Sequence, residues 1–149
     1  MKENISAEQT TLQVSDNVTL FGYELLRADV LPELLGKDTA ELLYWSGKRL
    51  AGKYPLNSLD EIIDFFARAS WGELELKKQN TQEMEFEMTS ALIFSRVKSK
   101  SEHFFQLEAG FLARQIEGLK GAVTEAFEHP IKRSQKVLFT VKWDPKDSI

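Results

Sequence analysis

The chain has 149 residues, enough for one domain with a substantial core, and its 42% hydrophobic and 28% charged content is that of an ordinary globular protein. A net charge of -4 argues against a nucleic-acid partner, and the lack of cysteine excludes disulfides, thiolate metal sites and a cysteine nucleophile. The opening residues carry no apolar leader, and no stretch approaches the ~18 apolar residues of a membrane span, so the expectation is a cytoplasmic protein without a spanning segment.

Residues 1–16 are polar and aperiodic, which predicts a flexible tail ahead of a single domain over 17–149. Asn17 can cap a first helix with Phe21, Leu25 and Ala28 on one face. Leu31 before Pro32 predicts a break, and Gly36 stops one further turn. Asp38 with Glu41 reads as a capping box opening a helix to about Gly52. Its inner face is Thr39, Leu42, Leu43, Ser46, Gly47, Leu50 and Ala51. Ser46 and Gly47 are small enough for another backbone to approach there.

Ser58 with Glu61 is a second capping box, followed by Leu59, Ile62, Ile63, Phe66 and Ala69 at helical spacing up to Trp71-Gly72. The period then becomes two. Leu74 and Leu76 alternate with glutamates. After a turn near Asn80, Met84, Phe86 and Met88 alternate with Glu83, Glu85 and Glu87. This predicts a hairpin with one wet acidic face, read as a solvated edge rather than paired catalytic carboxylates. Residues 90–103 fit strand or helix equally. A helix from Phe104 follows, then strands over 121–128 and 136–143. In the last, Val137, Phe139, Val141 and Trp143 share one face and Leu138 lies on the other, as in an interior strand. The order predicts an α+β fold with helices packed on one face of a four-stranded antiparallel sheet.

Three strings, YWSGKRLA at 44–51, FQLEAGFLARQIE at 105–117 and VLFTVKWD at 137–144, resemble the YslB-like family of bacterial proteins. More distantly, Gly110-Phe111, Glu125 and Phe139 are similar to the 4-vinyl-reductase domain and to the fold of TRAPP-type trafficking subunits. The resemblance implies an apolar pocket for a small or acyl-like ligand and pairing of domains through helices. Glu128 and Val137 stand where the 4-vinyl-reductase pattern often has cysteines, so thiol metal chemistry does not carry over, nor does the acylated cysteine of some trafficking subunits.

Residue chemistry adds little to an enzyme reading. No phosphate loop, nucleophile elbow or zinc motif occurs, so no catalytic residue, metal ligand or cofactor is assigned. His103 and His129 flank elements and read as exposed. The aromatic set Phe104, Phe105, Phe111, Phe127, Phe139 and Trp143 either lines a pocket or fills a core. Glu108 and Gln115 fall inside the apolar arc of the Phe104 helix. A carboxylate there needs a cation, for instance Arg27, Lys48 or Arg49, or else it anchors a ligand's polar head. Phe105, Glu108, Phe111, Leu112, Gln115 and Phe139 are thus the candidate ligand-binding residues. The leading expectation is a non-enzymatic binding module for a small apolar ligand, pairing as a homodimer. The alternative is an interaction or scaffold subunit with a filled core.

Overall fold

In the computed structural model, which describes residues 18–90 and 105–149, the switch of period from 3.6 to two separates a helical layer from a sheet. The strands are β1 (Glu73–Gln79), β2 (Glu83–Thr89), β3 (Ala122–Ile131) and β4 (Lys136–Ser148). They are antiparallel in the order β1-β2-β4-β3. Alternation puts Leu74, Met84, Phe86, Met88, Val137, Phe139, Val141 and Trp143 on one buried face, with Phe86 opposite Phe139 and Met88 opposite Val137. β4 is interior, as its two apolar faces predict. β2 is interior too, which corrects the reading of its glutamates as an edge. Glu83, Glu85 and Glu87 are half-buried on the outer face, and Lys136 Nζ lies 3.1 Å from Glu87. Asn80 makes the hairpin turn, its side-chain oxygen accepting from the N–H groups of Gln82 and Glu83 at 2.8 and 2.9 Å. Both C-terminal strands run longer than the apolar alternation suggested.

Helices α3 (Thr39–Lys53), α4 (Leu59–Arg68) and α5 (Gln106–Lys120) form the other layer. Ser58 caps α4 by accepting from Glu61 N–H at 3.2 Å, while the Glu61 carboxylate accepts from Asn57 N–H, one residue earlier than the standard box. Asp38 makes no such cap. The 3₁₀ turn Gly36–Asp38 runs straight into α3, and the Thr39 hydroxyl donates to the Gly36 carbonyl instead. On α3 the buried residues are Leu43, Gly47 and Ala51, and Leu42 faces out, contrary to the expected inner face.

α3 and α5 cross where both lack a side chain. A Cβ on Gly47 would lie 2.1 Å from the Leu107 carbonyl oxygen, and one on Gly110 would lie 1.9 Å from that of Tyr44. The close backbone approach expected at Gly47 is therefore made within this chain, by α5. Between α3 and the sheet, α5 is buried nearly all round.

The N-terminal strap comprises α1 (Leu20–Glu24), a π-helical turn (Leu25–Val30) and α2 (Leu31–Leu35). Thr19, not Asn17, caps it, accepting from Gly22 N–H at 3.0 Å; Asn17 and the predicted tail lie outside the described residues, as do residues 91–104. The face that Phe21, Leu25 and Ala28 share turns away from the core into solvent, and Arg27 is the buried residue. No break occurs before Pro32. Leu31 N–H donates to the Leu26 carbonyl, five residues back, so the helix widens ahead of a proline that has no N–H to give and would crowd a regular turn.

Candidate functional site

Glu108 sits in the first turn of α5, where the helix N-terminus favours an anion, yet it is fully buried, so it needs a cation as well. Of the three cations considered, Arg27 supplies it. Arg27 Nη2 donates to Glu108 Oε1 at 2.9 Å and Nη1 to Oε2 at 3.0 Å, a two-pronged guanidinium–carboxylate contact. Nη1 also donates to the Tyr23 hydroxyl at 2.6 Å. Burial pulls the Arg27 pKa down, but the charge and hydrogen bonds of Glu108, aided by Tyr23, more than offset this, and the net shift is upward. The guanidinium is permanently charged.

The other candidate residues are also interior: Phe105, Glu108, Phe111, Leu112, Gln115 and Phe139 are all 0–4% exposed. Gln115 does not join Glu108 in one polar island. Its amide donates to the Tyr54 carbonyl at 2.8 Å and its oxygen accepts from Leu56 N–H at 3.1 Å, so it fastens the α3–α4 connection to α5. The two share one arc, but two helical turns apart along the axis Glu108 meets the strap and Gln115 the α3–α4 connection.

Phe111 stands in an aromatic cluster. Phe65 stacks on it at 4.5 Å between ring centroids, and Trp71 and Phe66 meet it edge-on at 5.1 and 6.1 Å. Phe127, expected in this set, is 48% exposed on the outer sheet face, because β3 turns its even-numbered residues inward. Phe104 and His103 lie outside the described residues, and His129 is exposed. A shallow depression of about 550 Å³ lies elsewhere, lined by Ala67, Ser70, Gly72, Glu73 and Gln135 among others, and includes none of the six candidates.

Glu125, one of the motif residues, receives the Tyr44 hydroxyl and Lys48 Nζ, the latter at 3.0 Å. The same hydroxyl accepts from Ala126 N–H at 3.0 Å, so α3 covers an otherwise open donor of the edge strand. Burial and the Glu125 hydrogen bond push the Tyr44 phenol pKa up. Glu128 accepts from Phe105 N–H at 3.0 Å and from the Gln106 amide, anchoring the start of α5.

The residue pattern left Tyr23 out of the site. The signal was present, since Arg27 is the one cation in LFGYELLRADVLPELL and Tyr23 precedes it by four residues.

The fold is shared with distant proteins. A vinyl-4-reductase family protein from Methanocaldococcus jannaschii superposes with a TM-score of 0.60 at 20% identity, over 87% of this chain and 84% of that one. An Fe(II) unliganded H-NOX protein from K. algicida gives 0.56 at 12% identity, over 92% and 80%. At such identities the likeness concerns the fold alone. In sequence, the uncharacterized protein YslB of Bacillus subtilis is 42% identical over the full length of both chains. Residues 20–142, from the strap to β4, match the model of DUF2507, described as a protein of unknown function, and the chain belongs to that family.

Proposed function

We propose that this protein is a non-enzymatic interaction module that pairs with a second copy of itself through the outward face of the strap and α3. The observation that carries this reading is the inverted strap. Phe21 and Leu34 are 73% and 74% exposed, and Leu26 and Val30 between them also face out. Steps of five, four and four residues keep all four on one side, because the π-helical turn absorbs the extra residue. Leu42 and Trp45 of α3 are exposed as well. Large apolar side chains exposed along one face of an element are a mark of interaction surfaces.

Charge favours a second copy as its cover. Beside the stripe the strap carries the exposed Asp29 and Glu33, while α3 carries Arg49 and Lys53 towards its end. A two-fold axis sets the acidic strap of one copy against the basic α3 of the other. Analytical ultracentrifugation tests this. The wild type should sediment as a dimer and Leu26→Glu as a folded monomer. A wild type that stays monomeric at its highest soluble concentration, or a variant that stays dimeric, overturns it.

A small apolar ligand beside Phe111 is the second reading. It is favoured by an aromatic path from Tyr54, 49% exposed, through Phe65 at 5.7 Å to Phe111. A ligand there would part the stacked rings. Native mass spectrometry of gently purified protein should then show a bound apolar molecule; bare protein sinks this version.

A further inference from the structure

We propose that the strap is a displaceable latch hinged at Gly36, and that the Glu108 carboxylate it closes over is a site for an alkylguanidinium group, occupied in this structure by the chain's own Arg27. This goes beyond the pairing reading and holds whether or not the stripe meets a second copy.

The strap's hold on the domain is unlike that of any helix beneath it. Across Leu20–Leu35 the buried side chain is Arg27, with Tyr23, Leu31, Pro32 and Leu35 half-buried. α3, α4 and α5 instead enter the core with Leu43 and Ala51, Ile62 and Phe66, and Phe111, Leu112 and Ile116. Segments with few buried apolar contacts open first. At the junction to α3, Gly36 adopts φ 69° and ψ -143°, a conformation reserved for glycine, and a Cβ there would meet nothing within 4 Å. The constraint at that point is rotational freedom, which suits a hinge.

The receiving side is rigid. Glu108 sits on α5 between Leu107, whose carbonyl abuts Gly47, and Ala109, with Gly110 wedged against Tyr44. Its two oxygens are set to receive two parallel N–H donors, a geometry a guanidinium matches and an ammonium does not. The energetics make exchange feasible. A buried ion pair roughly breaks even against the desolvation of its charges, so it adds little net hold, yet removing the cation alone leaves a costly buried carboxylate. Lifting the strap leaves that carboxylate without its cation unless another guanidinium enters, which restores the pair and leaves the half-buried contacts of Tyr23, Leu31, Pro32 and Leu35 as the hold to be overcome. The latch thus opens selectively to that chemistry.

The test uses ethylguanidinium and propylammonium at equal millimolar concentration on Arg27→Ala, read by thermal unfolding. Ethylguanidinium should raise the Tm of this variant by about 3 °C over propylammonium, and the difference should vanish in Arg27→Ala/Glu108→Leu. Should the variants not fold, wild-type hydrogen exchange decides instead. L-Argininamide should speed exchange of the strap amides at least tenfold while leaving those of α5 unchanged, and L-lysinamide should not. Equal effects of the two cations on the variant, or strap exchange indifferent to argininamide, overturn the proposal.

Discussion

The strap and α5 are helical segments of similar length joined by one ion pair, and they invert each other's polarity. α5 turns its apolar side chains inward and holds a single carboxylate among them. The strap turns Phe21, Leu26, Val30 and Leu34 outward and sends Arg27 in. α5 is fixed by hydrophobic burial and by glycines that let backbones touch, while the strap buries Arg27 in its pair with Glu108 and only half-buries Tyr23, Leu31, Pro32 and Leu35. Stability resides in α5 and its neighbours. The strap lies inside the family match and leaves Phe21 and Leu34 in water.

Substitutions separate the two regions, beginning with α5. Gly110→Ala drives a methyl group to within 1.9 Å of the Tyr44 carbonyl oxygen and should cost more than about 4 kcal/mol or prevent folding. A folded, stable variant would show that the crossing can relax. Phe111→Ala removes the ring that Phe65, Phe66 and Trp71 surround and should cost about 3–5 kcal/mol in chemical denaturation. A smaller loss together with altered ligand retention would favour the small-ligand reading.

On the strap, Arg27→Met should cost about 3 kcal/mol, the low end for breaking a buried pair, because the strap can shift and admit water. Adding Glu108→Leu should return most of it. If the double variant stays as unstable as the single one, the pair does more than satisfy two charges. Leu26→Glu should change monomer stability by less than about 0.5 kcal/mol, as an exposed position does, while abolishing association. Loss of fold in that variant would show that the stripe is internal structure.

Sheet, hairpin and the helices over the core were legible because each follows one period: two for Met84, Phe86 and Met88, and 3.6 for Leu59, Ile62 and Phe66. Glu108 was legible as a buried carboxylate because it interrupts an apolar arc. Its partner could be narrowed only to cations of the early helices, since a contact across 81 residues leaves no local spacing. The direction in which the strap's apolar face points was not legible, for a physical reason. A hydrophobic pattern says which side chains share a face, not whether that face meets the core or a partner. Glu108 and Gln115 share an apolar arc yet have different partners, because an arc viewed down the helix projects away the axis that separates them. Gly47 was read correctly as a point of close approach, but composition cannot say whose backbone approaches.

The most direct measurement is native-state hydrogen exchange of the wild type, followed separately for the strap and α5 across a series of protein concentrations. The account predicts that in dilute protein the strap amides exchange at least about a hundredfold faster than those of α5, through an opening that leaves the core intact, and that they gain protection as concentration rises. Equal protection of strap and α5 at every concentration would contradict it, because the strap would then belong to the same cooperative unit as the core.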